Sequence, residues 1–561
     1  MRKQTKIAAV VSAAALLAIG ASMTSFAATG WQEEDGTWVY YNRAGEKVAN
    51  AWEYSGDNRF YLDDAGNMAT DSLIEDNDDY YYVDANGAMV RNRWVAIDNE
   101  EAGEENQPDV WWYYFQANGK AYKNTHASGN IFKKVINGKT YAFDEDGKMQ
   151  YGWVKKEDGV TNYDDNAYQE CDYYFGDEND GAMSIGWREI ALTDVADAET
   201  EQPGDSYWDS DQVRWFYFKS SGMKQTSSTN KTINGRKYGF DEWGRMIADW
   251  HAATANDADN QLSRRGSSNN AAVTATKDYA RDFMYFSSPE DGARFTKGWF
   301  KVVPGYYLNY KDYDDGTDRW YYANGDGKIA AGEIKAIKGK KYAFDLKGGM
   351  ISGLALLRTN GKEISEYADS DGKYDSQDSF ETTARGLSGD WGFYYFSDNE
   401  DKDGSMKTGN QRISLDGENF TFSFRKGGTR KGQGINGLNE KKYYLGGMLM
   451  TADADTKIEL LNKNTLEKVT VDKFVRTNGL VGKDVTSGKV GQANKGDVVY
   501  TDGTTGTTGT ATGLDLTSLT ADYVVVNVSG NVVKSGSKVD GDGYKVVLDG
   551  NNRVKQIIAT Y

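Results

Sequence analysis

Cysteine and histidine are nearly absent from this chain of 561 residues. The single cysteine, Cys171, excludes a framework of internal disulfides, so stability must come from packing. The two histidines, His126 and His251, leave little from which to build a histidine metal site or a catalytic triad. The sequence also has no His-Glu-x-x-His, no Gly-x-Ser-x-Gly and no phosphate-binding loop. We therefore expect no catalytic residue, no metal and no cofactor.

Positive charge is also in deficit, with 65 Lys and Arg against 84 Asp and Glu, a formal net charge of −19. Nucleic acids and anionic membranes both require basic patches, so this balance argues against either partner. A neutral or cationic partner fits better. An acidic surface that only keeps the protein soluble is an equally open interpretation.

Long apolar runs are confined to the N-terminus. Arg2, Lys3 and Lys6 precede the run Ile7–Ile19, and Ser25-Phe-Ala27 follows it. This order of charged, apolar and small residues is typical of a secretory signal peptide, which we place at residues 1–27. A transmembrane helix is the alternative, but the apolar run is short for a membrane span. We expect a secreted protein.

What the chain has in abundance is aromatic residues and glycine: 38 Tyr, 15 Trp and 63 Gly. Aromatic residues suit pleated strands, and glycine suits tight turns. Three similar stretches lie about a hundred residues apart, at Tyr141–Met149, Tyr238–Met246 and Tyr342–Met350. Each predicts a strand, a polar turn ending in glycine, and a short return strand that carries methionine. Looser relatives of this unit fill residues 31–450.

The period of the repeat is given by its turn glycines. The first three are Gly45, Gly66 and Gly87, separated by two steps of 21 residues. Later hairpins turn near Gly119, Gly147, Gly181, Gly222, Gly244, Gly292, Gly327, Gly348 and Gly404. Two less regular hairpins, at 419–432 and 440–450, bring the predicted number to fourteen.

The hairpins alternate among three classes, distinguished by the residue about seven positions before the turn glycine. The first class has Trp38, Trp112, Trp215, Trp320 and Phe420. The second class has Arg59, Thr140, Lys237, Lys341 and Lys442. The third class has Tyr80, Asp172, Phe283 and Phe393. A pattern that recurs every third hairpin predicts a solenoid with about three hairpins per turn.

The fold class predicted from this pattern is all-β: a β-solenoid of stacked hairpins with loop insertions, followed by a small C-terminal β domain. The residue four before each turn glycine, or its equivalent where the turn is longer, is expected to face inward: Leu62, Phe115, Phe143, Phe175, Phe240, Phe286, Phe344 and Phe396. Polar insertions at 150–171, 188–213, 251–281 and 353–391 are expected on the outside. Three parts follow: a signal peptide at 1–27, the solenoid at 28–450, and an all-β domain of unknown function at 451–561.

The stretch Gly30-Trp31-Gln-Glu-Glu-Asp-Gly36-Thr-Trp38-Val-Tyr40-Tyr41-Asn-Arg-Ala-Gly45 resembles the choline-binding, or cell-wall-binding, repeat of Gram-positive surface proteins. Units such as Ile136–Met149 are similar to the repeats of clostridial toxins and glucan-binding domains. The resemblance extends over about residues 30–450. It implies a left-handed β-solenoid that binds choline on teichoic acid, or glycans, between successive hairpins.

A choline site needs an aromatic cage, because a quaternary ammonium has no hydrogen-bond donor and is recognised by cation–π attraction. In the resembled family the cage joins an entering Trp, the Trp seven before the turn glycine, and an aromatic of the next hairpin. Here Trp31, Trp38 and Tyr61 are expected to form a choline cage, with Trp52 and Tyr82 as a poorer second. Tyr40 lies on the same strand face as Trp38. Three further pairs are predicted to be open platforms for sugar rings: Trp94 with Trp112, Trp187 with Trp215, and Trp299 with Trp320.

Several interpretations remain open at this point. The aromatic residues can equally form the core of the solenoid itself, since large aromatics dominate burial in most folds. The favoured function is a secreted, non-catalytic protein attached to a cell-envelope polymer and associated with the cell wall. The alternatives are a surface adhesin or structural protein that acts through residues 451–561, or, less favoured, a wall-active hydrolase with its site in the insertions. The acidic runs Asp312–Asp318 and Asp540–Gly543 favour solvated turns over calcium sites.

Overall fold

The computed structural model describes residues 29–125, 131–157, 159–164, 166–192, 213–252, 277–305, 308–368, 374–397, 403–478, 498–501 and 516–560. The predicted signal peptide and His126 lie outside these residues. The chain divides into two compact units, one of Met1–Arg188 with Phe218–Lys224, the other of Glu189–Tyr217 with Gln225–Tyr561. Among the described residues, no helix has the length and apolar character needed to cross a bilayer.

Antiparallel two-stranded hairpins make up most of both units. Of the fourteen predicted hairpins, thirteen are described in full. Their paired strands are Gly30–Glu34 with Thr37–Tyr41, Ala51–Ser55 with Asn58–Leu62, Ser72–Asp76 with Asp79–Val83, Arg93–Asp98 with Val110–Phe115, Phe132–Ile136 with Lys139–Phe143, Gly152–Val154 with Tyr173–Asp177, Ser228–Ile233 with Arg236–Phe240, Asp249–Ala252 with Phe283–Phe286, Gly298–Val302 with Arg319–Ala323, Glu333–Ile337 with Lys340–Phe344, Gly353–Asn360 with Trp391–Phe396, Gly409–Leu415 with Glu418–Phe424, and Gly437–Asn439 with Lys442–Leu445. The strands of the remaining one are Gly186–Ala191 and Val213–Phe218, at the border of the two units. The predicted β-solenoid of stacked hairpins is confirmed.

The boundaries of the hairpin differ from the predicted ones. The paired strands are joined upstream of the predicted unit, for example by Asn137 and Gly138, both with positive φ as in a type I′ turn. The turn that ends in Gly147 follows the second strand, and the expected return strand is only a bridge between Phe143 and Met149. The sequence pattern indicated the turn after the second strand and not the connection between the paired strands, because the length of that turn varies less along the chain.

Successive hairpins are joined by one main-chain hydrogen bond that recurs at equivalent positions. The residue two after a turn glycine donates to the carbonyl of the residue seven before the preceding turn glycine. In one unit the Met68 N–H donates to the Trp38 carbonyl (2.7 Å), and the Met89 N–H donates to the Arg59 carbonyl (2.8 Å). In the other unit the N–H groups of Met246, Met350 and Met406 donate to the carbonyls of Trp215, Trp320 and Lys341, respectively. This bond places the hairpins in chain order.

The predicted inward positions form the core. All eight are at most 1% exposed: Leu62, Phe115, Phe143, Phe175, Phe240, Phe286, Phe344 and Phe396. The residue two earlier on the same strand face is buried as well, as Phe60, Tyr81 and Tyr141 show. Alternate residues of a strand share a face, so one face of each hairpin is buried along its length.

The insertions lie between the two strands of a hairpin rather than between hairpins. Second-class hairpins keep two-residue connections: 56–57, 137–138, 234–235, 338–339 and 440–441. Longer connections fall in first-class and third-class hairpins: 99–109, 155–172, 192–212, 253–282, 303–318 and 361–390. All four predicted insertions therefore started too early, because their first residues overlap hairpin strands: Gly152–Val154, Gly186–Ala191, Asp249–Ala252 and Gly353–Asn360. The connections contain helices Ala167–Glu170, Lys277–Ala280, Tyr310–Asp314 and Gln377–Gly386, and strands Thr161–Asn162 and Glu363–Ala368.

The repeat pattern occurs once more beyond residue 450. Strands Ile458–Asn462 and Tyr523–Asn527 pair, and Gly530 follows them as the turn glycine. The main-chain hydrogen bonds around Gly530 join the same relative positions as those around Gly66. Val526, four residues before Gly530, is fully buried in one core with Phe422 of the last hairpins.

The remaining strands are Asp180–Met183, Met448–Leu449, Lys468–Val469, Val498–Thr501, Gly536–Val539, Tyr544–Leu548 and Val554–Ala559, with helices Val471–Thr477 and Leu516–Leu519. Four of these strands form one antiparallel sheet in the order Val498–Thr501, Val554–Ala559, Tyr544–Leu548, Gly536–Val539. This sheet covers a second core that contains Leu460, Val546 and Ile557. The domain boundary at residue 450 remains a prediction.

Candidate functional site

Each candidate site begins with a tryptophan on the first strand of a hairpin and a tyrosine directly opposite it on the second. Six such pairs lie within the described parts of single units: Trp31 with Tyr40, Trp52 with Tyr61, Trp94 with Tyr114, Trp153 with Tyr174, Trp250 with Tyr285, and Trp299 with Tyr322. Directly opposite residues of an antiparallel pair are close enough for their side chains to touch. In all six the ring centroids are 5.0–5.4 Å apart.

A third ring comes from the next hairpin. Trp31 meets Phe60 edge to face at 5.3 Å, and its indole N–H donates to the Tyr54 carbonyl at 3.0 Å. The same arrangement brings Tyr81 to Trp52 (5.2 Å), Tyr141 to Trp94 (4.8 Å) and Tyr342 to Trp299 (4.9 Å). Edge-to-face geometry is a favoured arrangement for aromatic pairs. A cluster of three rings thus recurs at the junction between hairpins.

The predicted third ring of the first cluster was wrong by one residue. Tyr61 lies against Trp52 of its own hairpin, and Phe60 is the residue that reaches Trp31. Neighbouring residues on a strand point to opposite faces, and the face that meets the preceding hairpin is the buried one. For the same reason Tyr81, not Tyr82, meets Trp52. The clusters of Trp94 and Trp299 therefore have a third ring although the next hairpin carries Ala142 or Ala343, because the neighbouring residue, Tyr141 or Tyr342, supplies it.

First-class hairpins add a fourth ring at the position seven before the turn glycine. On the hairpin of Trp31, residues Glu33, Trp38 and Tyr40 share its strand face, and Glu33 is directly opposite Trp38. At Trp299 the fourth ring is Trp320, with centroids 6.5 Å apart and planes at 80°. At Trp94 it is Trp112, whose indole nitrogen is buried without a hydrogen-bond partner.

All the residues predicted for the site are partly exposed: Trp31, Trp38, Tyr40, Trp52, Tyr61, Trp94, Trp112, Trp187, Trp215, Trp299 and Trp320. They are therefore not sealed in the core. Trp187 and Trp215 belong to different compact units. The ligand-binding role of all eleven remains a prediction.

The charge beside the rings differs among the three first-class clusters with a Trp pair inside one unit. The residue opposite the fourth ring is the exposed Glu33 at Trp38, Ala96 at Trp112, and Lys301 at Trp320. Lys301 Nζ lies 3.5 Å from a carboxylate oxygen of Asp318. The three clusters thus present a negative, a neutral and a positive neighbour to the rings.

Two clusters that the sequence interpretation did not select are closed. Trp153 and Trp250 are 9% and 7% exposed. The Trp153 ring has the ammonium of Lys224 5.4 Å from its centroid. The indole N–H of Trp250 donates to the Val303 carbonyl (2.9 Å) in the long connection of the next hairpin. Their signal was the same Trp on a first strand, but their hairpins lack a Trp at the fourth-ring position.

The first acidic run begins in the short helix Tyr310–Asp314, and the second lies in the connection between strands Gly536–Val539 and Tyr544–Leu548. Asp312 is buried and accepts two hydrogen bonds from the Arg319 guanidinium, at 2.8 and 3.0 Å. The Asp540 carboxylate accepts the N–H groups of Asp542 and Tyr544, both at 2.8 Å. Within the described residues, no three His, Cys, Asp or Glu side chains are grouped as metal ligands would be. Asp312 and Asp540 are both buried, so the prediction of solvated turns was wrong for these two carboxylates.

Comparisons with known proteins agree with this architecture. A family model described as choline-binding repeat matches residues 46–88. Glucosyltransferase-S of Streptococcus mutans is 28% identical over 370 residues, which is 60% of this chain and 22% of that relative. The chain thus spans about a fifth of that protein's length.

Three solved structures are also similar. CbpF in complex with ipratropium is 16% identical, over 73% of this chain and 100% of that one, with a TM-score of 0.31. The autolysin LytC of Streptococcus pneumoniae with a synthetic peptidoglycan ligand is 16% identical, over 62% of this chain and 59% of that one, with a TM-score of 0.29. The choline-binding domain of CbpL from Streptococcus pneumoniae is 20% identical, over 55% of this chain and 100% of that one, with a TM-score of 0.23.

Proposed function

We propose that this chain, in which the choline-binding repeat model matches residues 46–88, attaches to a cell-envelope polymer through the aromatic clusters between its hairpins. We propose further that it is secreted, associated with the cell wall and not catalytic. The observation that carries the proposal is the recurrence of partly exposed Trp clusters at one position of the repeat, at Trp31, Trp94 and Trp299.

The first cluster is the best candidate for a quaternary ammonium. Trp31, Trp38 and Tyr40 share one strand face with the carboxylate of Glu33. A cation over such rings gains about 0.5–2 kcal/mol for each well-placed ring. A neighbouring carboxylate adds attraction for choline, whose charge cannot be lost. The formal net charge of −19 acts in the same direction at longer range.

The cluster at Trp299 and Trp320 favours a glycan as the second candidate ligand. Lys301 lies directly opposite Trp320 on the same strand face, where its ammonium opposes a cationic ligand. The same ammonium can donate hydrogen bonds to sugar hydroxyls while an indole packs on a sugar ring. The similarity of 28% to a glucosyltransferase also supports a glycan.

Retention on choline resin tests the first site. Trp31→Ala together with Trp38→Ala should reduce retention and leave the far-UV CD spectrum nearly unchanged. Trp111→Ala is the matched control, because Trp111 is a partly exposed indole on the face opposite Trp112. Unaltered retention of the double variant would rule out the first cluster as a choline site.

The ligand class is separated by elution from intact cell walls. Free choline should release the protein if the first site dominates, and a free wall oligosaccharide should release it if the platforms dominate. The same preparation tests the absence of catalysis. Release of soluble sugar from purified wall, above that from heat-denatured protein, would contradict the non-catalytic proposal.

A further inference from the structure

The second aromatic cluster differs from the first in what lies over its rings. On this hairpin Trp52, Tyr54, Arg59 and Tyr61 share one strand face, because Trp52 is opposite Tyr61 and Tyr54 is opposite Arg59. Arg59 therefore occupies the position that Trp38 holds in the first hairpin. A guanidinium here replaces the fourth ring of the cluster.

The guanidinium lies where a ligand cation would lie. Its central carbon is 5.1 Å from the centroid of the Trp52 ring and 5.6 Å from that of the Tyr54 ring. Both distances are within the range at which a cation is attracted to an aromatic face. The two rings thus form a slot that Arg59 fills.

The polar contacts of Arg59 support this arrangement. Its Nε atom is buried and has no hydrogen-bond partner. A buried donor without a partner destabilises the fold, and attraction of the guanidinium to the two rings offsets part of that cost. The indole N–H of Trp52 is engaged elsewhere, donating to the Asp76 carboxylate at 3.1 Å. The Trp52 ring is thereby held in place beside the guanidinium.

Trp31, Trp94 and Trp299 differ in this respect. Within the described part of the chain, no lysine or arginine head group lies over any of these three rings, whereas one lies over Trp52. The internal cation is therefore a property of individual hairpins and not of the repeat as a whole.

We infer that Arg59 is a specificity-determining residue that closes the second aromatic cluster, so that Trp52 and Tyr54 accept an internal guanidinium in place of a quaternary ammonium ligand. Removal of the guanidinium converts this cluster into an additional site for quaternary ammonium ions. The inference rests on the proposed function, since it assumes that rings on this strand face bind cations.

The test counts the tetramethylammonium ions bound per full-length chain by equilibrium dialysis. Arg59→Ala is expected to bind about one ion more than the wild type, and Trp52→Leu added to it should remove the gain. Arg59→Lys keeps an internal cation and should match the wild type. Arg43→Ala is the control for the lost charge, because Arg43 is exposed and lies over no described ring.

Trp52→Leu alone gives a measurement that does not depend on the folding of an Arg59 variant. In the wild-type background it should leave the number of bound ions unchanged, whereas Trp31→Leu should lower it by about one. A decrease caused by Trp52→Leu would show that the cluster is already open and would overturn the inference. The absence of a gain in folded Arg59→Ala, or an equal gain in Arg59→Lys, would overturn it as well.

The outcomes for the two proposals are distinct. A wild type that binds ions, with Arg59→Ala unchanged, contradicts only the closure by Arg59. A wild type that binds none, with Arg59→Ala binding one, contradicts choline attachment but supports the closure. A failure of both proteins to bind contradicts both.

Discussion

At the scale of the residue, the direction of each strand face decides which rings form a cluster. Alternation along a strand was sufficient to place Trp38 and Tyr40 on one face, and the family resemblance added Trp31 to them. The sequence did not identify Phe60, because the choice between Phe60 and Tyr61 depends on which face of one hairpin packs on the next. That choice is a tertiary property.

Substitution of Phe60 and Tyr61 tests this assignment. Phe60→Leu should weaken choline binding at the first cluster by roughly threefold to tenfold, because it removes the ring that packs against Trp31. Tyr61→Leu should leave that affinity unchanged, since Tyr61 lies against Trp52. Isothermal titration with choline measures both, and a larger effect of Tyr61→Leu would refute the assignment.

Buried turn carboxylates make the stability dependent on pH. Burial raises the pKa of Asp144 and of Asp345 to about 6, despite the main-chain N–H groups that each carboxylate accepts. A carboxyl group whose pKa is higher in the folded than in the unfolded state stabilises the fold when it is protonated. This stabilisation is complete at pH values below the pKa of the unfolded state and is lost as the pH rises through 6. Stability should therefore increase as pH falls from 7 to 5.

Asparagine at these two positions should remove part of that dependence. The Asp144 carboxylate accepts the N–H groups of Asp146 and Lys148, and an amide oxygen can accept the same bonds. Asn324 occupies the equivalent turn position in another hairpin. Asp144→Asn and Asp345→Asn should each stabilise the protein by about 1 kcal/mol at pH 7 and have little effect at pH 4. Thermal denaturation between pH 4 and pH 7 measures the change in stability of each variant. Equal effects at both pH values would show that the buried carboxylate charge is not the cause.

At the scale of the element, the hairpin was predictable and its junction was only partly so. The recurring turn glycines indicated the hairpins, since positive φ favours glycine at most of these turns. The exact strands were not indicated, because the type I′ connection is sometimes Asn-Gly, as at Asn137, and sometimes Asn-Asp, as at Asn77. The positions of the insertions followed from that connection and were missed with it.

Gly119 tests how tightly successive hairpins fit together. A Cβ atom at Gly119 would lie 2.6 Å from Met89 Sδ of the preceding hairpin. At Gly138 nothing lies within 4 Å, and φ is nearly the same, +83° against +84°. Gly119→Ala should therefore cost about 1–3 kcal/mol more than Gly138→Ala.

Urea denaturation of both variants gives this difference, in which the common backbone strain cancels. Met89→Ala should recover part of the loss in the Gly119→Ala background, because it makes room for the added methyl group. Equal destabilisation by the two alanines would show that the junction is loose.

At the scale of the whole molecule, we propose that weak sites on one chain act together. The three partly exposed clusters at Trp31, Trp94 and Trp299 each offer only a few kcal/mol. Several linked sites on one polymer give an avidity well above that of any single site. The sequence predicted that these clusters recur but not that those of Trp153 and Trp250 are closed, because Lys224 and Val303, which approach the two rings, belong to other hairpins.

Stepwise removal of the clusters tests this avidity. Trp31→Leu, Trp94→Leu and Trp299→Leu should each lower the choline concentration that elutes the protein from purified wall by only a few-fold. The triple variant should not be retained. Loss of retention in one single variant, with the other two unchanged, would show that a single cluster carries the attachment.

The placement of the insertions has a consequence for how this architecture diversifies. The longest added segments lie between two paired strands, as at 361–390, whereas the segment from the second strand through the turn glycine to the next hairpin varies less, between the lengths of 144–151 and 116–131. A new loop can therefore be acquired at a hairpin tip without a shift in the hydrogen bonds between neighbours. The tips of first-class and third-class hairpins are accordingly suitable positions for grafting foreign epitopes, while the tips of the second class keep two residues.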